Sequence, residues 1–526
     1  MPVFPKREFS DAEIYRRRHA IALTVTLAAM MELLDTSIVN VAISQIMGNL
    51  GATLEEVTWV STGYIVANVI VLPISGWLSS RFGRRNYFMG SIALFIVASF
   101  FCGNASSLGS LVFWRIVQGL GGGGLIATAQ STIFEIYPSR EQGTGMAIFG
   151  MGIMMGPTLG PTVGGFITYH ASWPWIFYIN LPIGLVALLL ANNLLPDSRF
   201  QQKISKVDWT GIALLALSIG ALQIMLERGE RLQWFDSGEI QLYAAVSLGA
   251  FMAFIWHELR IEHPVVDLAI LRDRQYAVGL VFSFLLGMSL FATVFYLPLY
   301  LQTLLGYNAW ETGKVILPGA LANGFTMAML GKVIEKVDID LRILVLIGIA
   351  IFGTSMWQHG QFTTLSGESD FFWPLILRGV GLGFLFVPLN AMTMARIAPK
   401  DMANATGIYS LVRQLGGSVG IAAAATLYVH MGAEFKADLS LHVSQLEAGS
   451  REGLFWLQNL LYSKGTNGAD FQETLLRILD GKLTAQASMI AFEQIFMLFS
   501  ITLACAAPLL YFMPFAKGLR TGGTDH

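Results

Sequence analysis

Glu32 and Asp35 stand three residues apart in Met31-Glu-Leu-Leu-Asp-Thr-Ser-Ile-Val-Asn-Val-Ala42, an otherwise largely apolar run. On a helix that spacing puts both carboxyl groups on one face. A carboxylate inside a bilayer is costly and faces a cavity or a partner. Two close, partly desolvated carboxyls suit a group that takes a proton from one side and yields it to the other. They equally suit a structural ion pair with an arginine, and the two roles do not exclude each other. Arg115, in Arg115-Ile-Val-Gln118-Gly119, is the expected partner. Its guanidinium stays charged at physiological pH and, once buried, demands a counter-charge or several carbonyls. It either tunes proton binding at Asp35 or simply fixes helix packing.

A second group is Gly76-Trp-Leu-Ser-Ser-Arg81-Phe-Gly83-Arg84-Arg85. Its glycines permit a tight turn and close helix approach. Its three arginines form either a gate latch or a basic anchor at the membrane surface. A third is Gly150, Gly152, Gly156-Pro157, Gly160-Pro161 and Gly164-Gly165. Small residues four apart let backbones approach, and Gly-Pro steps bend or locally unwind a helix. Asn40, Gln118, Gln130, Asn180, Asn390 and Arg413 are candidates to line a substrate cavity, although most such polar groups serve as helix–helix hydrogen bonds. Arg378 is another intramembrane cation. The abundant Phe (35) and Met (22) suit an adaptable apolar pocket as well as core packing.

Gly119–Gly124 has no preceding strand and sits in an apolar run, so it is not read as a nucleotide loop. No Walker-type Gly-Lys-Ser/Thr sequence occurs, and no His-Glu-x-x-His. No cofactor or metal is expected. Cys102 and Cys505 lie in separate apolar runs and read as packing residues.

These groups need a scaffold, and the composition says which. Of 526 residues 54% are apolar and 13% charged, and mean hydropathy is +0.58. A soluble domain carries about 25% charged residues. An ordinary soluble enzyme, a disordered chain and a disulfide scaffold are excluded. A net charge of −2 gives no reason to expect nucleic acid. The basic stretch Lys6–Arg18 precedes an apolar run too long for a cleavable signal.

A bilayer-crossing helix needs about 20 apolar residues. The hydropathy predicts fourteen spans, near 19–43, 57–79, 86–103, 108–134, 142–168, 175–195, 208–226, 239–257, 276–300, 312–333, 342–359, 371–394, 403–430 and 488–514. The polar stretch 431–487 is expected as a long loop. With both termini inside, Lys and Arg favour the cytoplasmic side by roughly three to one. Phe113–Gly123 in span 4 aligns with Trp373–Gly383 in span 12, with Gly119, Gly121 and Gly123 falling on Gly379, Gly381 and Gly383. That echo predicts two homologous halves: a first six-helix bundle over 1–200, two added helices over 201–262, and a second bundle over 263–526.

The motifs resemble those of the major facilitator superfamily, in particular its fourteen-helix drug:proton antiporter branch, the EmrB/QacA type. Leu34–Ala42 resembles the span-1 signature. Gly76–Arg85 resembles the loop 2–3 motif, with Ser80 where an acid is usual. Arg115, Gln118, Gly119 and Gly121 resemble the span-4 motif. Gly156-Pro157 through Gly164-Gly165 resembles the span-5 antiporter motif. Trp175–Gly184 and Asp208–Gly211 are further hallmarks, and the long loop before the last span fits the EmrB type. Glu32 is an acid that the signature does not require.

The resemblance implies an all-α polytopic membrane protein with the major facilitator fold. It implies proton-coupled multidrug export across a bacterial inner membrane. Together with the carboxyl pair read above, it points to Asp35, Glu32 and Arg115 for proton coupling, with Glu32 sharing the role of Asp35 or carrying it, and to Gly76, Arg81, Gly83, Arg84, Arg85, Gly156, Pro157, Gly160 and Pro161 for gating. It also implies partners: small amphiphilic substrates, protons, membrane lipids, a periplasmic adaptor of the EmrA type and an outer-membrane channel of the TolC type. The 431–487 stretch would dock the adaptor or fold back as a lid. Export of one physiological amphiphile, such as a fatty acid, bile salt or siderophore, fits the same residues. An uptake symporter, and a membrane sensor or enzyme, are the rival classes.

Overall fold

The computed structural model describes residues 9–138, 141–198, 208–261, 264–337, 339–442, 455–456, 458–459 and 469–513. Lys6, Arg7, Arg140, Arg199, Lys203, Lys206, Lys517, Arg520 and most of 443–468 lie outside them. The described residues contain helices and no strand. Thirteen helices are long and apolar enough to cross a membrane. In chain order they include α1 (Asp11–Leu50), α2 (Trp59–Phe82), α3 (Arg84–Gly103), α4 (Leu108–Ile136), α5 (Gln142–His170) and α6 (Trp175–Leu194). Then come α7 (Trp209–Arg228), α8 (Gly238–Glu258) and α9 (Arg274–Thr303). After α10 the set is α11 (Leu341–His359), α12 (Glu368–Met394), α13 (Met402–His442) and α14 (Ala469–Cys505).

The predicted tenth span is α10 (Ala309–Lys336), a helix of 28 residues. It is long enough to span but less apolar, because Glu311, Lys314, Lys332, Glu335 and Lys336 flank its middle. The expected loop 431–487 is helical at both ends. α13 runs on to His442, and α14 starts at Ala469. Leu475 is buried against Phe471, Ile478 and Leu479, and Lys436 pairs with Asp480 at 2.6 Å, joining the two extensions. Hydropathy placed the boundary where the apolar run stopped. A helix needs only satisfied backbone and one apolar stripe, so it continued.

Packing repeats along the chain. α1 lies on α5, α2 and α3 on α4, and α3 on α6. In the same way α9 lies on α13, α10 and α11 on α12, and α11 on α14. The glycine echo shows why. A Cβ on Gly119 would stand 2.4 Å from the Tyr64 carbonyl on α2; one on Gly379 would stand 2.0 Å from the Gly319 carbonyl on α10. Gly121 meets Phe95 on α3, and Gly381 meets Phe352 on α11. Only glycine allows backbones this close. Between the two sets, α7 and α8 pack on each other, and α7 leans on α2 and α13. Asp208 caps α7 through the Gly211 amide and takes His257 of α8 at 2.8 Å.

The Gly-Pro steps of α5 predict a bend or local unwinding; the helix runs from Gln142 to His170 through Pro157 and Pro161, so it is not unwound there. Its glycines serve contact: Gly152, Gly156, Gly160 and Gly164 bring it onto Thr26, Leu33, Ser37 and Ile38 of α1. The Ser37 hydroxyl also donates to the Gly156 carbonyl. The interruption falls in α4, where a turn at Gly123-Gly124 separates Leu108–Gly122 from Leu125–Ile136.

The two packing sets meet along α5 with α10 and α2 with α13. At the face that bears the chain start, Gly76 lies against the Ala403 and Asn404 backbone. There too Gly143 meets Gly331, and Thr144 donates to Glu335 at 2.8 Å. These contacts join the two packing sets at this face.

Candidate functional site

The core of the first set is polar, and its groups converge on Asp35. α1 presents this carboxylate fully buried; α4 presents Arg115, also fully buried. Arg115 Nη1 lies 2.5 Å from Asp35 Oδ2. The other carboxylate oxygen, Oδ1, accepts from Gln118 at 3.0 Å and from Asn180 of α6 at 2.6 Å. Arg115 is filled in turn: Nε donates to the Val60 carbonyl, and Nη1 also to Gln118. Its guanidinium stacks 4.1 Å from the Tyr64 ring centroid. The Ser99 hydroxyl closes the circle, accepting from Gln118 and Asn180 and donating to the Phe177 carbonyl. A buried ion pair persists only when such extra bonds satisfy it.

Glu32 shares the helix face but not the partners. One carboxyl oxygen accepts from Asn68 Nδ2 at 2.8 Å and from the Tyr64 hydroxyl at 3.3 Å. The other is buried with no hydrogen-bond partner. Glu32 therefore sits in a neutral polar niche while Asp35 holds the cation, and Tyr64 touches both systems. Tyr64 and Ser99 were not singled out from the sequence. Nothing local marks a tyrosine or serine in an apolar helix as part of a network.

Between the two packing sets lies a cavity of about 40 Å³. It is lined by Pro157 and Met154 of α5, Phe291 of α9, Asn323 of α10, Arg378 of α12 and Arg413 and Gln414 of α13, among others. That volume admits a few waters and is far below the roughly 300–1,000 Å³ of a drug-sized site.

Of the expected cavity residues, Arg413 lines it. Gln118 and Asn180 face Asp35 instead. Gln130 donates to Asn390 at 2.7 Å, tying α4 to α12. Asn40 is exposed near the far end of α1, where it accepts from Ser61.

The expected gating residues fall at contacts. Gly76 is at the α2–α13 crossing described above, and Gly83 takes φ +85° in the turn between α2 and α3. Arg84 pairs with Glu135 at the end of α4, and Arg85 donates to the Asn192 carbonyl and side chain. The motif lacks an acid at Ser80, whose hydroxyl bonds the Gly76 carbonyl, and Glu135 supplies an acid from another helix. Arg81 is exposed, Pro157 lines the cavity and Pro161 is half-buried.

The sequence pattern of the Major Facilitator Superfamily matches residues 25–421. The fatty acid resistance protein FarB of Neisseria gonorrhoeae is 33% identical over 95% of this chain and 97% of its own. The multidrug export protein EmrB of Escherichia coli K12 is 31% identical over 96% and 97%. Among solved structures, the proton:xylose symporter XylE superposes with a TM-score of 0.58 at 14% identity, covering 97% of this chain and 98% of that one. At that identity XylE speaks for the fold alone.

Proposed function

The chain belongs to the major facilitator superfamily, and on that footing we propose that it is a proton-coupled multidrug exporter of a bacterial inner membrane. The observation that carries the reading is the buried Asp35–Arg115 pair beside Glu32, two carboxyls of unlike surroundings on one helix face. Protonation of Asp35 would release Arg115 from its one carboxylate partner among the described residues, and the freed guanidinium would have to find new bonds. That coupling links one proton to a helix rearrangement. Glu32, with a free oxygen and no ion pair, is the second stop for the proton.

The mechanical part is alternating access. The bundles 1–200 and 263–526 rock about the α5–α10 and α2–α13 contacts, with 201–262 riding at the side. Contact between the packing sets at the face bearing the chain start corresponds, with the termini cytoplasmic, to a form shut toward the cytoplasm. Arg84 with Glu135, Gln130 with Asn390, and Gly76 against Ala403 form the latch that must open to admit substrate. The names of the relatives, multidrug export and fatty acid resistance, support a range that runs from drugs to a single amphiphile. The helical arm flanking 443–468 is the surface for an adaptor of the EmrA type, which would connect to a channel of the TolC type.

The test is substrate-driven proton movement in proteoliposomes containing wild type, Asp35→Asn or Glu32→Gln. Wild type should release protons when amphiphile is added, and Asp35→Asn should not. Substrate-driven proton movement equal in all three would make both acids structural, and none in wild type would remove the antiporter reading.

A further inference from the structure

Arg378 and Arg413 are buried, 7% and 5% exposed, and line one cavity. Neither has an acid within ion-pair distance among the described residues, and each holds a buried Nη1 without a hydrogen-bond partner. The Phe386 and Tyr409 rings lie 5.5 and 5.7 Å from the Arg413 guanidinium. Glu32 forms no ion pair with Arg413: one of its oxygens is held by Asn68 and Tyr64, and the other has no hydrogen-bond partner. Asn323 completes the polar side of the cavity with an unpartnered Oδ1. Two buried cations without an ion pair along one space are costly, and an anion between them relieves the cost. The rest of the wall is apolar, from Ile153, Met154, Phe291 and Leu382.

Resting on the exporter reading above, we propose that this cavity is the head-group site for anionic amphiphiles, with Arg378 and Arg413 clamping a carboxylate or similar anion and the apolar wall taking the start of the tail. At about 40 Å³ the space holds the head group's neighbourhood only, so the tail enters as α5, α9 and α10 part. An exporter built for lipophilic cations would carry acids here. This cavity carries none.

The experiment is equilibrium binding to the full chain in a non-ionic detergent, with no proton gradient. Radiolabelled dodecanoate is compared with dodecyltrimethylammonium, which shares the tail and reverses the charge. Wild type should bind dodecanoate saturably and at least tenfold more tightly than the cation. Arg378→Gln and Arg413→Gln should each weaken dodecanoate about tenfold or more, while Arg378→Lys and Arg413→Lys keep most of the affinity. Monodisperse elution on gel filtration confirms that each variant is folded, and the lysine variants test the site if a glutamine variant is not. Unchanged dodecanoate affinity in folded glutamine variants overturns the proposal, as does preference for the cation or no binding of dodecanoate. None of those results touches the exporter reading, which stands or falls on substrate-driven proton movement in the wild-type vesicles.

Discussion

Arg115 on α4 and Arg378 on α12 sit in matching glycine-rich helices, with Arg378 one turn further along, at the position of Gln118. The backbone environment is the same in both places. Gly119 and Gly379 rest on carbonyls of α2 and α10, and Gly121 and Gly381 on phenylalanines of α3 and α11. The charge environment is opposite. Arg115 has Asp35, Gln118 and the Val60 carbonyl. Arg378 has no ion pair among the described residues and an unpartnered Nη1. The cause is one helix. α1 brings Glu32 and Asp35, whereas α9 carries no acidic residue between Arg274 and Thr303. The same packing solution therefore holds two chemistries: a self-contained acid–base pair in one half and an open cationic wall in the other.

The comparison breaks first at the ion pair. Arg115→Gln leaves Asp35 buried without its counter-charge, which should cost about 3–5 kcal/mol. Thermal unfolding in detergent should show it as the largest loss among these variants. Asp35→Asn should be nearly as damaging, so its transport defect must be read beside its stability. The double variant Asp35→Asn/Arg115→Gln should regain much of the stability while remaining unable to move protons. Wild-type stability in either single variant would mean that the pair carries little of the fold.

Next come the glycines. Gly119→Ala and Gly379→Ala each place a methyl group against backbone, an overpacking cost of about 1–3 kcal/mol. Similar losses in the two halves are expected, and a large inequality would deny that their packing is equivalent. Smaller again is Gln130→Ala, which removes its buried bond to Asn390 and a long one from Ser410, each worth about 1 kcal/mol or less. Its signature should be faster thiol labelling of a Gln414→Cys reporter in the cavity between the two packing sets, because the Gln130–Asn390 bond joins them. The smallest effect is Arg378→Gln. No counter-charge is orphaned, so its melting temperature should equal or exceed that of wild type. A drop comparable to that of Arg115→Gln would show that Arg378 has a structural partner after all.

The pairing of Arg115 with Asp35 was legible because each is the kind of residue that membrane burial forces to find a partner. The three glycines of the echo were legible because their spacing is retained. The bonds of Glu32 were not legible, since nothing local ties Asn68 or Tyr64 to it until α1 and α2 come together. Nor was the role of Gln118 and Asn180. Both read as possible cavity residues, and both turn out to face Asp35. The acid missing at Ser80 could not be replaced on paper by Glu135, which lies on another helix and reaches Arg84 only after α3 and α4 pack.

The sequence by itself determined the lipid-embedded helical class, the approximate spans, the recurring glycine face and the few ionisable residues able to do chemistry. Those properties are local: apolar run length, residue spacing and the cost of charge in hydrocarbon act within one helix. Tertiary structure decided which charges are satisfied. Asp35 meets Asn180, 145 residues away, and Gln130 meets Asn390 across 260. It also left Arg378 and Arg413 facing one cavity without an acid. Pairing at such separations depends on which helix faces touch, and no helix carries that information alone.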